Sequence, residues 1–456
     1  MTHRRTRPVV ALVAAAAVSL ASACAAERAP AESGGWDDTG EITYWMWDSA
    51  QLPGYQRCAA DFEARNPDIH IAIEQIRWDD YWHRLLTAFV ADAAPDVFVD
   101  HTSKYGDYTA RGLIEPLDEL IARDGPDLSQ FVEGTPDLWV GDDGKRYGLP
   151  KDFDAVGIFY NAEMARDAGI TPEQMQNLAW NPQDGGTFED VLARLTVDRN
   201  GVHGDEPGFD RNAVATYGLG LSPELGDGAG QTQWSMYTGT LGWTHTDRPL
   251  WGTRFHYDDP RFQDTVRWWR SLVEKGYMPP VELAVGGQLS QLLQAKRAAL
   301  VTDGSWNIST YASLGGVELA TAPTPIGPRG HRSSMTNSLA DSIAAGSPNK
   351  GAAWKWVRYL ASPECQSVVA EAGVVVPATA SVVPTAEAAI GRHGLDITPF
   401  TRQLKEGTAF PYPAAQHAAD VDSIMGTAME RVMSFGAEPE SLTEVNQEVN
   451  ALFTQG

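Results

Sequence analysis

A chain of 456 residues is about three times a typical single domain, so two domains are the first expectation. Hydrophobic residues at 43% and charged residues at 21% are ordinary globular proportions, but 35 Lys+Arg against 60 Asp+Glu leave a net charge of −25. That acid excess excludes a nucleic-acid partner and electrostatic docking on anionic lipid, and three cysteines are too few for a disulfide scaffold or a metal knuckle.

The chain opens with Arg4, Arg5 and Arg7, then an apolar run from Val9 to Ala23 that is shorter than the ~20 residues a membrane-spanning helix needs. It ends in SLASAC, with Ala21, Ser22 and Ala23 before Cys24. This is similar to a bacterial lipobox, although Leu20 stands one place further from the cysteine than usual. Residues 1–23 are therefore expected to be a lipoprotein signal peptide, with Cys24 lipidated and holding the protein at the outer face of the cytoplasmic membrane. The paired arginines leave Sec and twin-arginine export both open. Cleavage removes three arginines and no acid, taking the net charge to −28. Residues 24–40 are small, polar and Gly/Pro-bearing, and read as a flexible tether.

EITYWMW (41–47) is strand-like, and Tyr55, Cys58, Ala59 and Phe62 mark a helix that Asn66–Pro67 ends. Ile69, Ile71 and Ile73 alternate as a second strand, residues 80–92 form an amphipathic helix, and PDVFVD (95–100) is a buried parallel strand. Strand, helix, strand, helix, strand predicts an α/β sheet with right-handed crossovers. Further on, KDFDAVGIFYN is a strand and Ala162–Ala168 a helix. Thr187–Asp190 (TFED) is read as a capping box, residues 196–233 as loop, 259–275 as a strong helix, AALVTDGSW as a strand, DSIAAGS as another, and NKGAAWKWVRYLASPE as a helix.

Taken in order, ITYWMWDS, PDVFVDHTSKYGDYTARGLIEPLDELI, GKRYGLPKDFDAVGIFYN, AALVTDGSW and IAAGSPNKGAAWKWVRYLASPECQ with VVVPATASV resemble the extracellular solute-binding proteins of bacterial ABC transporters, sugar-binding type, the maltose-binding-protein-like class. The resemblance runs over essentially the whole chain after the signal. It implies a two-lobed α/β fold with discontinuous domains and a cleft that closes on ligand: residues 41–150 with 335–395 as the first lobe, and 151–334 with 396–456 as the second. It further implies a non-enzymatic, monomeric receptor that carries an oligosaccharide to a permease, with no cofactor and no metal. Export also makes a Cys58–Cys365 disulfide possible, two separate buried thiols being the alternative.

The chain holds 15 Trp against 14 Tyr and 14 Phe, more indole than a core needs, so part of it is expected to face a ligand. In such sheets ligands bind beyond the carboxyl ends of the strands. That rule selects Trp45, Trp47 and Asp48 after the first strand, and Asp100, Ser103 and Lys104 after the third. Asp152 and Asp154, two apart on a strand, project from one face at the crossing between lobes. Trp306 in DGSW matches the position where the family stacks an indole on sugar. Trp234 and Tyr237, Asn337 and Asp341, and Tyr412 complete the candidates. Trp268, Trp269, Trp354 and Trp356 lie within amphipathic helices and are read as packing residues.

Indole offers a flat face to the C–H side of a pyranose, and carboxylates accept from adjacent hydroxyls. A micromolar ligand needs about −8 kcal/mol, equivalent to about 300 Å² of apolar burial before the cost of association. Two or three stacked rings supply that; one does not. A secreted glycoside hydrolase would use similar aromatic clefts and paired acids, and an acidic cleft would also suit a polyamine or a peptide. GxSxG, HExxH and Walker A motifs are absent from the sequence, and the loop Asp198–Glu206 lacks the EF-hand pattern.

Overall fold

The computed structural model describes residues 37–222, 228–284 and 288–454; the signal segment and Cys24 lie outside these. Among the described residues ten strands form one hydrogen-bonded sheet. They are β1 (Gly40–Met46), β2 (Ile69–Gln75), β3 (Val97–His101), β4 (Leu149–Asn161), β5 (Val197–Asp198), β6 (Val214–Leu219), β7 (Ala298–Gly304), β8 (Leu319–Ala322), β9 (Ser334–Ile343) and β10 (Ala409–Pro411). The order is β2-β1-β3-β9-β4-β7-β6-β5, with β10 beside β9 and β8 beside β4.

The pivot of this sheet is β4. Its first part, Leu149–Ala155, runs antiparallel to β9, with a bulge at Lys151; from Val156 onward it pairs instead with β7 and β8. All 13 residues of β4 are buried, as a strand covered on both faces requires. One half of the sheet thus gathers β1, β2, β3 and β9, and the other gathers β6, β7 and β8. Parallel β1/β2, β1/β3 and β6/β7 pairings give each half its α/β character.

Helices follow the apolar periodicity. Leu52–Arg65 buries Tyr55, Cys58, Ala59 and Phe62. Trp78–Val90 buries Tyr81, Leu85 and Ala88, and the Tyr81 hydroxyl donates to the Trp45 and Val99 carbonyls, tying this helix to two strands. Pro260–Lys275 is capped by Asp259, whose side chain accepts from the Arg261 amide, and it ends at Gly276 in the left-handed region (φ 78°). Trp268, Trp269, Trp354 and Trp356 are core residues. Cys58 and Cys365 form a disulfide that joins Leu52–Arg65 to the helix Pro363–Ala370.

Three local expectations need correction. Thr187 does not cap: its helix starts at Gly186, behind a left-handed Gly185, and the Thr187 hydroxyl instead accepts from the Ala179 amide. The capping box of this region is Thr171–Gln174. The stretch 196–233 contains β5 and β6, whose weak local pattern is overridden by pairing with each other and, for β6, with β7. Asp198 in that stretch uses its carboxylate to hold the amides of Asn200, Val202 and Asp210, so it serves as a loop clamp. The strand expected at DSIAAGS begins earlier, at Ser334.

Candidate functional site

The carboxyl ends of β1, β2 and β3 lie side by side, next to the point where β4 exchanges partners. Trp47 follows β1 and Trp78 follows β2. Their rings meet at 5.1 Å, and Trp82 stands 5.2 Å from each. Trp78 is 40% exposed, unusual for so large an apolar group. At the end of β3, the His101 ring lies 6.0 Å from Trp78 and 6.0 Å from Tyr412. His101 also spans Ser103 Oγ at 2.8 Å and Asn337 Nδ2 at 2.9 Å. Burial, with the Lys104 charge adding, pushes its pKa down to about 3, so the ring is neutral.

Asn337 sits opposite Asp154 in the β9/β4 register. The Asp154 carboxylate accepts from Ser305 Oγ at 2.6 Å; burial pushes its pKa up to about 7 against that bond, and the nearby Asp48 charge adds to the rise. Asp152, on the same face of β4, is pushed well above the carboxylate range by burial; Lys151 opposes this, and Asp154, Asp341 and Asp48 add to it. Neither Asp152 oxygen has a hydrogen-bond partner, and Asn337 Oδ1 has none either. Buried acceptors left without donors carry a desolvation cost of ~1–3 kcal/mol each, which incoming hydroxyls relieve. Asp48 accepts from the Ala50 amide and Gln51 Nε2 at the entrance to the first helix.

Trp306 is placed by the turn after β7. Asp303 holds that turn, accepting from the Gly304 amide, Asn307 Nδ2 and the Tyr311 hydroxyl. The half-buried indole folds back over Gly304, where an added Cβ would lie 2.0 Å from the ring, so a side chain there would displace the indole. Gly304 pairs with Val156, which brings Trp306 and Ser305 to the partner switch of β4.

The structure therefore gathers Trp47, Asp48, Ser103, Asp152, Asp154, Trp306, Asn337 and Tyr412. Five expected site residues are placed elsewhere. Trp45 turns into the core, its ring covered by the Arg84 guanidinium at 4.8 Å. Asp100 is fully buried and accepts from the His101 amide and Ser342 Oγ, on the sheet face away from Asp154. Asp341 accepts from the Tyr44 hydroxyl at 2.7 Å beneath the first helix. Trp234 packs against His245, Phe262 and Trp243, and Tyr237 against Trp180 and Trp268. Sequence reasoning missed Trp78 and His101. Trp78 follows a strand end just as Trp47 does, so the rule applied after β1 and β3 would have found it after β2.

The sequence profile described as "Bacterial extracellular solute-binding protein" matches residues 57–391. The chain is 30% identical over 148 residues to the lactose-binding protein of Rhizobium radiobacter, an alignment covering 31% of this chain and 34% of that protein; the chain thus matches about a third of that relative's length. Among solved structures it resembles M. tuberculosis UspC (TM-score 0.71, 24% identity, covering 91% of this chain and 100% of that one). It also resembles the ABC substrate-binding protein Lmo0181 of Listeria monocytogenes in complex with cycloalternan (TM-score 0.76, 18% identity, 91% and 100%). With β4 shared between the two sheet halves, the fold is the two-lobed α/β architecture of periplasmic binding proteins, and the chain belongs to the bacterial extracellular solute-binding protein family.

Proposed function

We propose that this protein is the carbohydrate receptor of an ABC importer, capturing an oligosaccharide of two or three rings and passing it unchanged to the permease. The observation that carries this reading is the pairing of half-exposed indoles, Trp47, Trp78 and Trp306, with buried acceptors that have no donor, on Asp152 and Asn337. Pyranose rings offer C–H faces to the first and hydroxyl donors to the second. The lactose-binding relative and the cycloalternan complex support a sugar as the ligand class.

In this reading the lobes are residues 41–150 with 335–395 and 151–334 with 396–456, and they close by flexing where β4 changes partners. The mature chain is a monomer anchored through lipidated Cys24 by the tether 24–40. No membrane-spanning helix is found among the described residues.

Calorimetry against a panel of α- and β-linked di- and trisaccharides, with polyamines and short peptides alongside, tests the ligand class. Saturable binding confined to sugars is the expected result. Binding confined to the polyamines or peptides, or release of new reducing ends from a bound sugar, overturns the proposal.

A further inference from the structure

A second hollow, of about 420 Å³, opens beyond the site just described. That volume lies within the ~300–1,000 Å³ typical of small-molecule sites. Trp251 and Phe453 supply aromatic surface, and Asp142, Gln416, His417 and Asp420 supply polar groups. Among the described residues no Lys or Arg lines it. Two of these residues, Trp251 (φ 58°) and His417 (φ 60°), hold left-handed backbone conformations that cost non-glycine residues of order 1–3 kcal/mol.

The strain is held by specific contacts. The Trp251 amide donates to the Ala414 carbonyl at 2.6 Å, and its indole N–H donates to the Val140 carbonyl at 2.8 Å. Its ring meets Tyr105 edge-on at 5.3 Å and lies so close to Gly106 that an added Cβ there would be 3.1 Å away. The His417 ring stands edge-on to Phe453 at 5.5 Å.

Two chain segments lead from the first site into this hollow. Residues 412–420 begin with Tyr412 against His101 and reach His417 and Asp420. Residues 103–106 begin with Ser103 and Lys104 and reach Gly106 beneath Trp251. Lys104 and Asp422, 3.7 Å apart, tie the second segment to the helix Ala418–Met433 that the first one enters.

We infer that the hollow is an outer subsite that takes further units of the same sugar chain, so that the protein selects oligosaccharides longer than the two or three rings held at the first site. This rests on the carbohydrate reading. The lining also sets the chemistry of those units. Asp142, which accepts from Gln416 Nε2 at 3.5 Å, and Asp420, 3.6 Å from His417 Nδ1, give the lining acidic character without a Lys or Arg among the described lining residues, so it disfavours uronic or phosphorylated sugars and accepts neutral or amino-bearing ones. Phe453 is the platform for a ring, and Gln416 supplies a donor and an acceptor for hydroxyls.

The test is a chain-length series measured by calorimetry on the mature protein. The probes are the maltose-to-maltopentaose, cellobiose-to-cellopentaose and chitobiose-to-chitopentaose sets, each titrated into wild type, Phe453→Ala and Gln416→Ala. Both residues are at least partly exposed, and an unchanged melting temperature verifies each variant's fold. In the series that binds, wild-type affinity is expected to rise about tenfold between the shortest and the longest members. Phe453→Ala is expected to abolish that rise and leave the disaccharide within about twofold, with Gln416→Ala showing the same pattern more weakly. A wild-type affinity independent of length, or a rise that survives in both variants, overturns the outer subsite and leaves the carbohydrate reading intact. Failure of all three series at every length overturns the carbohydrate reading and the subsite together.

Discussion

The two sheet halves each hold a cluster of tryptophans, and the clusters differ in what surrounds them. In the half built on β6 and β7, Trp180, Trp234, Trp243 and Trp268 interlock with Phe188, Tyr237 and Phe262, all nearly inaccessible. In the half built on β1 and β3, Trp47, Trp78 and Trp82 gather at strand ends, with Trp78 40% exposed. The chemistry of indole is the same in both. The first cluster contributes stability, and the second offers a surface to which a ring can be added. The difference teaches that a count of tryptophans signals excess aromatic surface, while the place of each in the fold decides whether that surface is spent on the core or left accessible.

The comparison breaks most visibly under truncation. Trp234→Ala is expected to cost about 3–5 kcal/mol in chemical denaturation, the usual loss for a large buried aromatic. An unfolding free energy within about 1 kcal/mol of wild type would mean that this cluster is not the core it looks to be. Removing the Cys58–Cys365 disulfide by a double Ser replacement is expected to cost about 2–4 kcal/mol, since it closes a long loop, and both cysteines sit in the half that carries the exposed cluster. Sugar affinity should survive this change, and its loss would show that the cross-link shapes the site.

Asp154→Ala acts on binding. Losing a buried hydrogen-bonding carboxyl and leaving a ligand hydroxyl without its partner is worth about 1–3 kcal/mol, so affinity should fall about tenfold to a hundredfold with little change in melting temperature. Trp78→Ala should weaken binding about tenfold and leave stability within about 1 kcal/mol, the opposite profile to Trp234→Ala.

The smallest effect is on the pH dependence of stability. Asp100 and Asp154, each raised to about 7, and Asp303, raised to about 6, keep protons that the unfolded chain gives up near pH 4. Their stabilisation is full below about pH 4 and is lost as pH rises through 6 to 7. Buried His101 and His245, lowered to about 3 and about 4, act in the opposite sense and lose stability as pH falls below about 6.5. Asp152 and Asp341 are raised as well, so the carboxyls outnumber the imidazoles. The melting temperature of the ligand-free protein should therefore fall as pH rises from about 4.5 to 6.5. A rise over that interval would contradict the buried, neutral state of these acids.

Much of the fold was legible. Period-two and period-3.6 patterns located β1 to β4 and the helices packed on them, because those elements have one clearly apolar face. β6 was not legible, since VATYGL gains its strand character from pairing with β7 and not from its own composition. The site was legible where a rule of geometry applied. Trp47, Asp48 and Ser103 follow strand ends, and Asp152 and Asp154 alternate on β4. Trp234 misled because its neighbours Gln231, Thr232 and Gln233 read as solvated loop. In the structure, left-handed Gly230 turns the chain, its carbonyl accepts from the amides of residues 233 to 235, and the indole is driven inward. Asp100 misled because a carboxylate near a strand end serves ligand or core according to which face it leaves from, and sequence does not give the register that fixes the face. Asp341 shares the face of Asn337 but lies four residues further along β9, where the Tyr44 hydroxyl takes it up.

The central claim is that sugar is captured between the strand-end indoles and the turn after β7. It is tested most directly by titrating the tryptophan fluorescence of wild type and of Trp306→Ala with the di- or trisaccharide that binds. Saturable change in wild type, with affinity at least about tenfold weaker in a folded Trp306→Ala, is the predicted result. An unchanged dissociation constant in that variant would contradict the account.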